Sequence, residues 1–323
     1  MSKILVVGGA GYIGSATVQV LCEQGYEVIV FDNLSAGQKD KLHKEAKLVV
    51  GDMLNEDDLD KVFSGEEFEA VIHFAALKAV GESEEIPADY FKNNVSGTIN
   101  ILAAMEKYKV PHIVFSSSAS VYAPSEDSVF KENAKLGPIS VYGQTKYISE
   151  LIIQDFARTG KIKSYALLRY FNVAGDAGLD FKEKAPQNVF PLIAKAVAGE
   201  AEFGIFGTDY DTEDGTGVRD YIHLTDLVEA HIKALKVDGE NSGAFNLGTS
   251  NGFSVKELID SFEKISGKPV NPNIEPRRAG DPAVVLADPS KANKELDWTA
   301  EKTLDEMVSS TLRIYGEGEA QIG

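Results

Sequence analysis

The sequence predicts an α/β protein, a doubly wound parallel sheet with a smaller α/β region built onto it. Three observations lead there. Apolar runs too short for helices, the first being Ile4 to Val7, have the composition of strands buried on both faces. Amphipathic segments of helical length separate them, so strand and helix alternate. Near residue 175 that alternation loosens and the composition shifts, which marks a second, discontinuous region over residues 175–315. Residues 1–174 then form the parallel-sheet region, with later segments returning to it, and residues 316–323 a frayed tail.

The opening stretch KILVVGGAGYIGSATVQVLCEQGYEVIVFD reads as strand, turn, helix and strand. Gly8, Gly11 and Gly14 follow the first strand at even spacing, the helix breaks at Gly25, and the second strand ends at Asp32. A turn of this kind brings backbone N–H groups against a pyrophosphate, where a Cβ would obstruct, and the helix N-terminus adds partial positive charge and free donors. Gly14 lets the helix pack on the strand. Asp32 can accept hydrogen bonds from both hydroxyls of an adenosine ribose and repels a 2′-phosphate, so the expected cofactor is NAD and not NADP. A glycine triplet alone is a tight turn in any α/β protein. With a strand before it, a helix after it and an acid behind it, it becomes a Rossmann dinucleotide signature.

Residues 33–37 form a polar loop, and a third strand, 47–50, ends in Gly51-Asp52. Asp52 has a choice between reaching an adenine amino group and forming a plain turn. Residues 70–75 are a fourth strand in which His73 is expected to be a core histidine, and Lys78 follows its carboxyl end, where open α/β sheets bind ligands. Residues 87–108 form a long helix with Pro87 in its first turn. Asparagine is a mediocre helix former, so Asn93-Asn94 inside it point to a polar contact in the crevice. A fifth strand, 112–117, runs into three serines, Ser116 to Ser118, and hydroxyls clustered at the carboxyl end of a strand are a site signal. The helix 141–153 places Tyr142 and Lys146 on one face. Residues 164–170 are a sixth strand. Further on come a helix over 186–199, a strand over 201–206, a polar loop over 207–217, a helix over 225–237 and a strand over 244–247. The helix 254–265 opens on a capping box of Ser254 and Glu257. An extended proline-rich stretch, 268–282, carries Arg277-Arg278 and Asp281, and a helix over 304–315 closes the fold.

The 323 residues suit one large α/β domain, or one with a smaller partner, and 43% hydrophobic content provides its core. No apolar run approaches a membrane span, and the first strand begins at once, leaving no room for a signal peptide. The lone Cys22 excludes an internal disulfide and reads as a core thiol. A cytoplasmic protein is expected. The net charge of −18 disfavours nucleic acid and anionic membranes as partners.

The blocks GGAGYIGS, FDN, HFAALKAVGES, FSSSASVY, VYGQTK, LLRYFN, DGTGVRDYIH, PRRAGD and TLDEM, in that order, cover nearly the whole chain. In these the sequence resembles the UDP-glucose 4-epimerase family, a branch of the extended short-chain dehydrogenase/reductases. The resemblance implies NAD as cofactor, a UDP-sugar as substrate, a homodimer, and no metal. It makes Ser118, Tyr142 and Lys146 the catalytic set. It puts Tyr12, Ile13, Asp32, Asn33, Asp52, Met53, Phe74, Lys78, Asn93 and Tyr170 at the NAD, beside the glycines. It puts Asn172, Asn188, Val189, Gly204, Phe206, Arg219, Arg278 and Asp281 at the UDP-sugar. The chemistry of the residues agrees, since a diphosphate bound by an acidic protein needs local arginines with forked donors. The segment after Asp281 departs from the family: the position matching Val285 borders the sugar C2 substituent, and a residue smaller than tyrosine there implies that N-acetylated UDP-hexoses fit as well.

The implied chemistry is inversion at C4 of the hexose. Tyrosine has an ordinary pKa of about 10, so it works as a base only where positive charge stabilises phenolate. Lys146 and an oxidised nicotinamide ring are the expected sources. A 4,6-dehydratase needs acids beside the catalytic serine, and Ala119 and Ser120 stand there instead. A UDP-glucuronate epimerase or decarboxylase stays open, because cation placement near C6 is not legible in a sequence. A non-catalytic NAD sensor is disfavoured by the presence of both Tyr142 and Lys146.

Overall fold

The computed structural model describes residues 2–125, 127–184, 186–277 and 281–315. Strand β1 (Lys3–Val7) leads through a tight turn to α1 (Tyr12–Glu23), β2 (Glu27–Asp32), β3 (Lys47–Val50), α2 (Glu56–Phe63) and β4 (Ala70–His73). Then come α3 (Val80–Glu85), α4 (Pro87–Tyr90), a π-helical turn over Phe91–Ser96, α5 (Gly97–Tyr108), β5 (His112–Ser116), β6 (Val129–Phe130), α6 (Val141–Arg158) and β7 (Ser164–Tyr170). The remainder is β8 (Asn172–Ala174), α7 (Val189–Val197), β9 (Gly204–Phe206), β10 (Val218–His223), α8 (Leu224–Ala234), β11 (Gly243–Leu247), β12 (Gly252–Ser254), α9 (Val255–Ser266), β13 (Asn273–Glu275), β14 (Val284–Ala287), α10 (Ser290–Glu295) and α11 (Leu304–Tyr315).

Seven strands form one parallel sheet in the order β11-β7-β5-β4-β1-β2-β3. Strand residues alternate between faces, and both faces are covered. Ile4 and Val6 of β1 enter a core closed by α1 and α8, while Leu5 and Val7 enter the opposite core, closed by α2, α5 and α6. The sheet is therefore doubly wound, as its apolar runs predict. A second sheet runs β12-β10-β14-β6, with β8 paired to β10, and β9 pairs with β13. Helices α7, α9 and α11 share a separate apolar core around Phe190, Phe262 and Leu312. The capping box is present: Ser254 Oγ accepts from Glu257 N–H, and the Glu257 carboxylate accepts from Ser254 N–H. Among the described residues no helix is long and apolar enough to cross a membrane.

Several elements differ from expectation. The long helix over 87–108 widens into a π-turn at Asn93-Asn94. There the Asn94 side chain accepts from Leu77 N–H at 2.8 Å and donates to the Leu77 carbonyl at 2.9 Å and to Thr145 Oγ1 at 3.0 Å. The polar contact read from the asparagine pair is this clamp, and the wider turn accompanies it. The fourth strand stops at His73, because Phe74 and Ala75 N–H both turn to the Val7 carbonyl. The helix expected over 186–199 occupies only Val189–Val197, and the strand expected over 201–206 only Gly204–Phe206. Inside the extended 268–282 stretch, β13 finds a partner in β9. The expected frayed tail lies outside the described residues.

Candidate functional site

The carboxyl ends of β1, β2, β4, β5 and β7 open into one cavity of about 420 Å³. It sits beside β1, where the strand order reverses, the place at which open α/β sheets bind ligands. Of the residues expected at the dinucleotide, Gly8, Gly11, Tyr12, Ile13, Gly14, Asp32, Asn33, Met53, Phe74, Lys78, Asn93, Tyr142, Lys146 and Tyr170 all line it. Asp52 stands one side chain back, its carboxylate accepting from Asn33 Nδ2 at 3.4 Å and from Leu54 N–H at 2.8 Å.

The three glycines serve different ends. Gly8 has φ +78°, and a Cβ there would lie 2.5 Å from Ala75 N. A Cβ on Gly14 would lie 2.3 Å from the Gly8 carbonyl oxygen, so helix and turn could not approach. Gly11 is unlike both: its φ is −78°, and the nearest protein atom to a Cβ is 3.4 Å away. Nothing in the protein forbids a side chain at Gly11; only something placed in the cavity would. Helix α1 also starts without a side-chain cap or an acid in its first turn. Its first N–H groups thus lack intrahelical acceptors and meet the cavity, which suits a pyrophosphate. Asp32, at the tip of β2, is oriented by Ala10 N–H at 2.9 Å and Leu34 N–H at 2.8 Å. These features fit a dinucleotide whose ribose hydroxyls meet a carboxylate.

Tyr142 and Lys146 stand one turn apart near the start of α6. Ser140 caps that helix through Gly143 N–H, and α3 supplies two further acceptors, Glu84 for Val141 N–H and Ser83 Oγ for Tyr142 N–H at 3.1 Å. Lys146 Nζ donates to the Ser116 carbonyl at 2.8 Å and lies 4.8 Å from the Phe115 ring centre. Burial brings its pKa down to about 7, opposed by the Glu150 carboxylate. Burial drives the Tyr142 phenol well above its ordinary pKa, the neighbouring Tyr170 adds to the rise, and a hydrogen bond with Ser118 opposes it. In the protein alone desolvation dominates at Tyr142; the expected sources of positive charge were Lys146 and an oxidised nicotinamide ring together. His73 is a core residue as expected. Its Nε2 pairs with Thr98 Oγ1, and burial, with the Lys146 charge, lowers its pKa to about 3.

The residues expected at the UDP-sugar lie elsewhere. Arg219 of β10 forms an ion pair with Asp281 at 2.5 Å and donates to the Val218 carbonyl at 2.8 Å. Asn172 donates to the Asp220 carbonyl at 2.9 Å. Asn188 precedes α7 as its cap residue and Val189 opens that helix against the third core. Gly204 and Phe206 are on β9, and Val285, opposite Arg219, packs on the Val121–Tyr122–Phe130 cluster. None of these lines the 420 Å³ cavity. Ser118 is buried beside Tyr142 without lining the cavity either. Arg278 lies outside the described residues. The sequence reading flagged the serine cluster that includes Ser116 without giving that residue a role, and it missed Glu82, Phe181, Glu183 and Lys184; all five line the cavity. Glu183 pairs with Lys78 across the cavity wall. Ser116 and Glu82 belonged to quoted blocks; nothing in the sequence brings a loop 105 residues away to Lys78.

A family model described as "NAD dependent epimerase/dehydratase family" matches residues 4–248. The chain belongs to the NAD dependent epimerase/dehydratase family. Within it, a protein of Bacillus subtilis (strain 168) named UDP-glucose 4-epimerase is 46% identical over 325 residues, covering 96% of each chain. Among solved structures, UDP-glucose 4-epimerase from Bifidobacterium longum in complex with NAD+ and UDP has a TM-score of 0.90 at 40% identity, over 97% of this chain and 98% of that one. The enzyme from Brucella ovis in complex with NAD reaches a TM-score of 0.93 at 38% identity, over 98% of this chain and 99% of that one. The fold of this epimerase/dehydratase family member is thus shared over nearly its whole length.

Proposed function

We propose that this chain interconverts UDP-glucose and UDP-galactose by inverting C4 of the hexose with a tightly held NAD. The observation that carries this is the meeting of two things in one cavity: a glycine turn with Asp32 at one side, and Tyr142 and Lys146, backed by Ser118, at another. The resemblance of the chain to named UDP-glucose 4-epimerases supports it.

NAD when bound supplies a two-electron acceptor that gives the same electrons back. The N–H groups at Gly11, Tyr12 and Ile13 would hold its pyrophosphate, Asp32 and Asn33 its adenosine ribose, and Met53 and Asp52 the adenine side. Phe74, Lys78, Asn93 and Tyr170 would hold the other half.

The residues of the chain move the proton. Tyr142 takes it from the sugar 4-hydroxyl and later returns it. Ser118 donates a hydrogen bond to that oxygen while it is a carbonyl. Burial keeps the phenol neutral until positive charge enters the cavity, so the base is switched on only in the loaded site. Asn172, Asn188, Val189, Gly204, Phe206, Arg219, Arg278 and Asp281 would grip the UDP end. The hexose itself is held loosely, which lets the 4-keto sugar turn over and present its other face. Binding energy is then spent on the part of the substrate that does not react. Valine at 285 extends the substrate range to N-acetylated UDP-hexoses.

The reading places residues 175–315 mainly on the sugar side. It makes the chain a cytoplasmic homodimer with Cys22 reduced, burial pushing that thiol up to about 11. Ile99 on α5 and Leu151 on α6 are exposed apolar residues suited to a subunit contact. The test is to purify the chain, assay it for co-eluting NAD, and follow conversion of UDP-galactose to UDP-glucose. Retained NAD with steady conversion is expected; an NAD-loaded protein that leaves UDP-galactose unchanged would overturn the reading.

A further inference from the structure

Glu150 lies one helical turn beyond Lys146 on α6 and is fully buried, as Arg169 of β7 nearly is. The carboxylate accepts from Arg169 Nε at 2.9 Å and from its terminal nitrogen at 2.6 Å, and from Ser117 Oγ. Arg169 also donates to the Tyr122 hydroxyl at 3.2 Å and the Glu132 carbonyl at 3.1 Å. Stability alone is a weak reason for such a pair, because buried ion pairs roughly break even against well-packed apolar residues.

The three serines at the end of β5 suggest another reason. Ser116 holds Lys146 through its carbonyl and pairs with the Tyr170 hydroxyl at 2.9 Å through its own hydroxyl. Ser118 bonds Tyr142. Ser117, between them, does not line the cavity; its hydroxyl goes to Glu150. Two serines touch the reacting machinery, and the middle one fastens their shared backbone to the helix that carries Tyr142 and Lys146.

We propose that Glu150 is a positioning residue for the reaction: by fixing Ser117 to α6 it keeps the Ser116 carbonyl and the Ser118 hydroxyl in register with Lys146 and Tyr142, and it sets a balancing negative charge behind the lysine. The inference rests on the epimerase reading given above. The charged and titratable groups around Lys146 are Tyr142 and Glu150 on its own helix, His73 on β4, and Arg169 and Tyr170 on β7; Glu150 also faces Tyr165 of β7. His73 stays neutral and Arg169 stays charged, so Glu150 is the group whose removal changes the field at Lys146. Without that carboxylate the ammonium loses its proton at lower pH.

Three variants test this against the wild type. Glu150→Gln combined with Arg169→Gln removes both buried charges together, so neither is stranded. Ser117→Ala removes only the fastening. With UDP-galactose as substrate, kcat of the double variant is expected to fall about 100-fold, the scale of a misplaced catalytic group. Its KM and NAD content should stay near those of the wild type. Its pH profile should keep its place, because the two removed charges are adjacent and opposite; Glu150→Gln alone should move the alkaline decline of kcat to lower pH, which a merely structural role would not cause. Ser117→Ala should lose about tenfold in kcat with the pH profile in place. Wild-type kcat in Ser117→Ala overturns the proposal, and so does a folded Glu150→Gln single variant whose pH profile superimposes on the wild type. If neither Glu150 variant folds, Ser117→Ala decides alone. A wild type that holds NAD yet does not convert UDP-galactose overturns the functional reading, and this proposal with it.

Discussion

The two sides of the candidate site are built in different ways. The dinucleotide side consists of strand ends, a helix start and backbone N–H groups, and its expected residues, all but Asp52, converge on one cavity. The side proposed for the sugar includes side chains on short strands already bonded to the protein: Arg219 to Asp281, Asn172 to the Asp220 carbonyl. Backbone cannot rearrange without unfolding its element, so the first side is ready-made. Side chains can pair among themselves, so the second must exchange partners when a ligand arrives. NAD should therefore be retained throughout, while sugar nucleotide comes and goes.

The largest effect is expected where the two sides meet. Tyr142→Phe keeps the ring in its buried slot and deletes the hydroxyl proposed to take the sugar proton. Turnover of UDP-galactose should fall about 10²–10⁴-fold, the contribution of a placed acid–base group. NAD content should be unchanged, because the dinucleotide side does not need the hydroxyl for its shape. Near-normal turnover in this variant, with cofactor and substrate both bound, would remove Tyr142 from the mechanism.

Next in size is a contrast within the dinucleotide side. Gly14→Ala drives a Cβ to 2.3 Å from the Gly8 carbonyl oxygen, so both thermal stability and NAD retention should drop. Gly11→Ala meets only ordinary contact at 3.4 Å. The cofactor-free Gly11→Ala protein should melt within a few degrees of the wild type, yet lose NAD on gel filtration. Gly11 is the N-cap of α1, where alanine is the poorer residue, so a small loss of stability is expected. If Gly11→Ala keeps its NAD, the cavity does not bring a ligand against that turn.

The same difference in construction decided what the sequence revealed. β1, its glycine turn, α1 and Asp32 are contiguous, and each piece carries a local signal, so the unit is legible. So are the capping box at Ser254 and the closing helix over Leu304–Tyr315. The second sheet is not, because strands as short as β6 and β8 have no periodicity, and Leu286 finds Val129 only across a long chain separation. Helix α3 went unread although it supplies acceptors to the helix start beneath Tyr142. The Glu150–Arg169 pair was hidden for a different reason: a charge in a sequence looks like surface. The four-residue step from Lys146 to Glu150 was the available clue, since it puts both on one helix face.

The smallest effect should come from the sugar side, and it probes the exchange of partners directly. Arg219 is partly exposed, and its bond to Asp281 is of the kind that contributes about 0–1 kcal/mol. Arg219→Lys should leave the melting temperature almost unmoved. Lysine keeps the charge and loses the fork, so it cannot hold two phosphate oxygens while also reaching the Val218 carbonyl. On the proposed reading the lost contacts are at the non-reacting end of the substrate and exist before and during reaction alike. KM for UDP-galactose should therefore rise about tenfold while kcat changes little, the pattern of an interaction made equally in ground and transition states. A fall in kcat at unchanged KM would mean instead that Arg219 acts on the hexose, and that the sugar side is as tightly bound to the chemistry as the dinucleotide side.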